Sequence, residues 1–178
     1  MGRLSVFTRL KRDTRGVSAV EFAMLAPVMI LMYFGLAEFC QGFMAQKRAG
    51  HAASMVADLV AQRDVLTGTQ IDDTFEIGAL IMKPFSATPL KMRVSSITRG
   101  ADGVARVDWS RGDGMTALVK DATVTVPAGV IENGESLVMS ESTYDYDSPA
   151  DYMMPTVTQF SQTFYLRPRS VDKIIYTP

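Results

Sequence analysis

Hydrophobic and polar positions divide the chain into three regimes. Residues 22–37, Phe-Ala-Met-Leu-Ala-Pro-Val-Met-Ile-Leu-Met-Tyr-Phe-Gly-Leu-Ala, carry no charge and no strongly polar side chain. As a helix they reach about 24 Å at ~1.5 Å per residue, a little short of a hydrocarbon core of ~30 Å. Extension through Phe39, Cys40, Phe43, Met44 and Ala45 closes the gap when Glu38 and Gln41 lie near the far interface. The pattern therefore predicts one membrane span over about 22–45. A buried helix of a soluble domain is the competing reading, but soluble cores rarely need so long a run apolar on every face. Past the run the apolar residues thin to a stripe, with Ala45, Ala49, Ala52, Met55, Val56, Leu59 and Val60 recurring at threes and fours. One continuous helix over 17–63 is expected, its second half laying its apolar face on the domain that follows. Pro27 has no amide hydrogen and should kink that helix or loosen the preceding turn.

A turn at Leu66-Thr67-Gly68 should follow, and Thr69-Gln70-Ile71-Asp72 has the form of a capping box with Asp in place of Glu or Gln. Ile71, Phe75, Gly78 and Met82, with Leu80 and Ile81, predict a short second helix that Pro84 ends. The period then changes. Leu90, Met92 and Val94 alternate with Lys91, Arg93 and Ser95, the mark of a half-buried strand. Turn residues 99–103 separate it from a second strand over 104–109, and Asp121-Ala122-Thr123-Val124-Thr125-Val126 reads as a third, closed by Pro127. Asn133-Gly134 signals a hairpin between the 123–131 region and a strand over 136–146. Residues 156–166, with Phe160, Phe164 and Leu166 on one face, make a fifth strand. The sum is an α+β protein, a mainly antiparallel sheet packed on the C-terminal half of a long helix.

The formal charge of −1 hides an asymmetry, because residues 1–16 hold Arg3, Arg9, Lys11, Arg12 and Arg15 against one acid. Lys47 and Arg48 follow the span, and the heavier basic cluster before it predicts a cytoplasmic N-terminus and an exported remainder. The chain divides accordingly into a leader over 1–16, the long helix over 17–63, and an exported domain over 64–178. A mildly acidic exported body has no basic footprint for nucleic acid. A cleavable secretory signal would place small residues after its apolar core, but here the apolar run passes into more helix. Met1-Gly2 begins a myristoylation-like string, yet Val6 stands where Ser or Thr is required.

Glu21 sits at the mouth of the apolar segment, five residues after Gly16. A carboxylate at the edge of a membrane span is unfavourable and wants a partner. Were the chain cut after Gly16, Val17 would carry a new α-amine four residues from Glu21, on the same side of the helix. That amine, on the same subunit or a neighbour, is a natural counter-charge. Gly16 suits a cleavage site because a protease binds extended backbone there. The plainer alternative is a Glu at the water interface with no special role.

Gly-Val-Ser-Ala-Val-Glu-Phe-Ala-Met-Leu-Ala-Pro over 16–27 resembles the processing site of type IV prepilins, and in its full form the TadE-like pseudopilins of tight-adherence (Flp) pilus systems. Pro27 within the apolar run and the Glu38-Phe39 pair near its end fit the resemblance, which is specific over 15–62 and diffuse beyond. Ser142-Thr143-Tyr144-Asp145-Tyr146 and Tyr165-Leu166-Arg167-Pro168-Arg169 are similar to strings of that family's exported region. The resemblance implies a pilin-like fold in the bacterial inner membrane, with the exported domain in the periplasm and the extracellular pilus as a possible destination. It implies cleavage between Gly16 and Val17 by a prepilin peptidase, Glu21 and Phe22 as the subunit-docking pair, and other pilin-like subunits as partners.

Other candidate chemistry is thin. Cys40 is the sole cysteine, so no disulfide forms within the chain, and it reads as a small apolar helix residue. His51 is the sole histidine, in the exported half of the helix, and reads as a surface or packing residue. Glu141, Asp145, Asp147 and Asp151 gather without the glycine and terminal Glu of a calcium loop. Arg111-Gly112-Asp113 is an adhesion-like tripeptide where a turn is expected. Trp109 with Tyr144, Tyr146 and Tyr152 is either sheet packing or a partner surface. No catalytic residue, cofactor site or metal site is expected, so an envelope enzyme is disfavoured. The reading is a minor pilin or pseudopilin, with an uncleaved single-pass protein whose exported domain binds a partner or ligand as the alternative.

Overall fold

In the computed structural model, residues 16–148 and 157–177 are described. Residues 1–15 of the basic leader, Asp151 and Tyr152 lie outside them. The first element, α1 (Val17–Ala61), is a single helix of 45 residues, about 67 Å long. Pro27 lies inside it without interrupting it. Two different surfaces alternate along its length. From Val17 to Leu36 nearly every large apolar side chain is exposed, Phe22 by 68%, Met24 by 73% and Tyr33 by 69%. From Gly35 onward one stripe is covered: Glu38, Gly42, Ala45, Ala49, Ala52, Ala53, Val56, Ala57 and Val60 are buried, while Phe39, Phe43 and Met44 on the opposite side stay exposed. The domain therefore meets α1 within the segment whose composition suggests lipid.

The expected turn at Leu66-Thr67-Gly68 is instead a short strand, β1 (Val65–Thr67), running into α2 (Gly68–Ile81). The capping box is real but lies two residues earlier than the sequence suggested. Thr67 is the N-cap, its hydroxyl accepting from the Gln70 amide at 3.3 Å while the Gln70 side chain accepts from the Thr67 amide at 3.0 Å. Gln70 at the third helical position completes a standard box, which the pair Thr69/Asp72 could not. At the other end Arg48 of α1 donates to the Ile81 carbonyl at 3.0 Å, satisfying an orphan acceptor at the α2 C-terminus.

Four strands form the main sheet in the order β3-β2-β4-β5: β2 (Leu90–Arg99), β3 (Ala105–Asp113), β4 (Ser136–Asp147) and β5 (Val157–Leu166). All neighbours are antiparallel, as alternation and short connections require. One face carries Leu90, Met92, Val94, Val138, Tyr144 and Tyr146 onto the small-residue stripe of α1 and onto Ile71 and Phe75 of α2. The other face has a smaller core in which Ile97, Ala105, Leu137 and Met139 are covered by Ile131, Val124, Val126 and Val130.

That second core explains where two expectations fail. Residues 121–126 form no strand, because Asp121 takes a left-handed φ of 65° and the segment then crosses the outer face of the sheet. It touches the β3 edge only through the Arg106 and Thr123 bridge and three backbone bonds around it. Asn133-Gly134 consequently joins a covering loop to β4 rather than closing a hairpin. Its glycine, at φ 87°, sends its amide to the Arg99 carbonyl at 2.7 Å.

A last strand, β6 (Ile175–Thr177), pairs parallel to β1, bringing the C-terminal segment back to the distal end of α1. There the Arg169 amide donates to the Ala61 carbonyl at 2.9 Å, and its guanidinium pairs with Asp58.

Candidate functional site

The residues singled out in the sequence lie together on the projecting half of α1. Gly16 is the N-cap at φ −87° and ψ −12°, with no side-chain cap, and a Cβ placed on it would meet nothing within 4 Å. Neither crowding nor left-handed backbone therefore calls for glycine there. Val17 opens the helix, half exposed, and Glu21 and Phe22 follow, both exposed. Among the described residues no side chain pairs with Glu21. It is the sole charge between Val17 and Ala37. Pro27 sits exposed a turn and a half further on.

A second carboxylate marks where the bare helix meets the domain. Glu38 is buried, 3% exposed, and accepts a hydrogen bond from the Ser148 hydroxyl although 110 residues separate the two. Tyr146 lies buried beside them. Removal from water raises its phenol above the ordinary value, and the Glu38 charge adds to the shift. Sequence reasoning treated Glu38 as an interface residue and as part of a family string. Its pairing with Ser148 has no local signal, since the contact depends on β4 running back along α1.

The remaining candidates resolve into structural roles. Arg111 and Asp113 lie in β3, not in a free turn. The Arg111 guanidinium makes a two-pronged pair with Asp72 at 2.7 and 2.6 Å. A Cβ on Gly112 would come within 2.0 Å of the Met115 carbonyl oxygen. The tripeptide's arginine and glycine are thus both committed to the fold. Asp145 accepts from Gln159 at 2.7 Å and from Lys91 at 3.0 Å. These two bonds, in that order, hold its carboxyl below the usual carboxylate range. Trp109 is 8% exposed, stacks on Tyr176 with centroids 5.5 Å apart, and donates its indole N–H to the Ile174 carbonyl at 2.9 Å. Tyr144 and Tyr146 are buried as well, so these aromatics pack the domain. His51 is exposed on α1 and Cys40 is exposed on its apolar stretch.

The geometry defines a class: a protein carried on one long N-terminal helix, apolar and bare in its first half, with its second half serving as one layer of an α+β domain. That first half is long and apolar enough to cross a membrane, consistent with a single-pass anchor. Within the class, residues 16–58 match the family described as TadE-like protein. The matched stretch begins at Gly16 and takes in nearly all of α1, so the similarity to that family lies in the long helix. No curated protein and no solved structure matches the chain.

Proposed function

We propose that the protein is a minor pilin or pseudopilin that acts by assembly rather than catalysis. On this reading a prepilin peptidase cuts between Gly16 and Val17. The bare half of α1 waits in the inner membrane, with the remainder exported to the periplasm, and then packs on equivalent helices of other pilin-like subunits. The observation that carries the reading is Glu21, without a partner among the described residues, on a helix surface otherwise free of charge from Val17 to Ala37. In lipid such a carboxylate is unfavourable, and a cleaved α-amine at Val17, on the same or a neighbouring subunit, is the counter-charge within reach. Pairing then selects one axial register, because a slipped helix would bury the charge alone at a cost of several kcal/mol. Gly16 supports the same view, since its local structure asks for no glycine.

Glu21→Ala provides the test. The variant should insert into membranes as well as the wild type or better, while recovery of partner subunits and assembly falls. Assembly at the wild-type level would remove the docking role of Glu21 and return the chain to the alternative of an uncleaved anchored domain.

A further inference from the structure

The two edges of the main sheet are built differently. The β3 edge carries three devices that block strand addition: a bulge at Asp108, where the pairing with β2 slips between Ser96 and Ile97, charged Arg106, Asp108, Arg111 and Asp113, and residues 122–124 laid against its outer side. The β5 edge carries none. Its 10 residues, Val-Thr-Gln-Phe-Ser-Gln-Thr-Phe-Tyr-Leu, include no charge, proline or glycine. They pair with β4 without a register break, and no strand pairs with the other side among the described residues. Such an edge presents a row of unpaired backbone donors and acceptors. Beside it runs a groove of 270 Å³ between α1 and β5, lined by Lys47, Gly50, His51, Gln162 and Phe164, with no carboxylate among the described residues that line it.

From these features we infer that the β5 edge is a docking strand for an extended, acid-bearing segment of a different chain anchored in the same membrane. The direction of α1 argues against a second copy. Contacts of Glu38 with Ser148, Ala49 with Ser142 and Ala61 with Arg169 show that α1 runs antiparallel to β4 and hence along β5. Antiparallel pairing of two β5 edges places a two-fold axis perpendicular to the sheet. That axis turns one α1 end for end, so the two apolar halves would point in opposite directions and could not share a bilayer. Head-to-tail growth from β5 onto the β3 edge of a second copy meets the bulge, the charges and residues 122–124. Parallel pairing of two β5 edges would bring the exposed Gln159, Ser161 and Thr163 of the copy to the groove, which sets no carboxylate beside Lys47. A foreign strand meets none of these obstacles, gains backbone hydrogen bonds along β5, and can set a carboxylate beside Lys47.

The inference rests on the membrane reading of α1 but needs neither cleavage nor Glu21. Photo-crosslinking residues placed singly at Gln159, Ser161 and Thr163 of the full chain, in its native membrane, test it, with Val119, 76% exposed, as the control position. The expected result is adducts with one segment of another membrane-anchored chain, the contacts stepping by two along that segment, and loss of the Gln159 adduct on Ser161→Lys/Thr163→Lys with the melting temperature unchanged. Adducts between two copies of this chain, adducts no stronger than at Val119, or contacts scattered over unrelated surfaces would overturn it. Recovery of the protein in the membrane fraction is scored in the same preparation. A chain that does not sediment with membranes defeats the anchor and the inference together, whereas a membrane-held chain lacking strand-like adducts defeats the docking alone.

Discussion

The Ser142 hydroxyl donates to the Ala49 carbonyl at 3.1 Å although 93 residues separate them. This contact shows how closely α1 rides on the sheet. Helix and strand approach through small side chains: Ala45, Ala49, Ala52 and Ala53 on one side, Ser140 and Ser142 on the other. A larger residue has no room. Ala49→Leu should destabilise the full chain in detergent by about 1–3 kcal/mol through overpacking, and Ser142→Ala by about 1 kcal/mol through loss of one hydrogen bond. Chemical denaturation checks both, and equal stability of Ala49→Leu and wild type would show a looser contact than the geometry implies.

Trp109 ties the C-terminal segment to the sheet. Trp109→Phe keeps an aromatic ring against Tyr176 but leaves the buried Ile174 carbonyl without its indole donor. The expected cost is about 1–3 kcal/mol. Because β6 closes on β1 just beyond Ile174, limited proteolysis should release the C-terminal residues earlier in the variant than in the wild type. An unchanged cleavage pattern would mean that β6 is held without the indole.

Three carboxylates of the α+β domain predict the acid response. Asp72 is held below its ordinary range by the hydrogen bond from Arg111, and Asp145 by Gln159 and then Lys91. Asp102 is brought down to about 2, first by Arg106 and then by the Val104 amide. A carboxylate depressed on folding contributes stability above its unfolded value of ~3.9, and that contribution disappears as pH falls through the folded value. These pairs are exposed, so each contributes little. The melting temperature should be insensitive to these groups between pH ~5 and ~8 and should fall below pH ~4. Asp72→Asn should flatten part of the acid slope, and an identical slope would show that the Arg111 pair carries none of it.

The long helix was legible because its apolar residues recur at threes and fours over many turns, and the bare half because no charge interrupts it. Strands β2, β4 and β5 announced themselves through alternation, as at Leu90, Met92 and Val94. Strands β1 and β6 were not legible, since three residues carry no period and their parallel pairing joins segments more than a hundred positions apart. Residues 121–126 misled because Thr123, Val124 and Val126 have strand composition, which here serves to cover Ile97, Leu137 and Met139. The Glu38 and Ser148 contact and the bidentate Arg111 and Asp72 pair were beyond reach for the same reason as β1 and β6. Gly16, Glu21 and Pro27 could be singled out from sequence because the pattern that marks them is local to one helix.

The most direct measurement is the intact mass and N-terminal residue of the protein recovered from membranes of cells with an active prepilin peptidase. The account predicts a mature chain that begins at Val17, with a free α-amine. A chain that retains Met1 to Gly16 would contradict it.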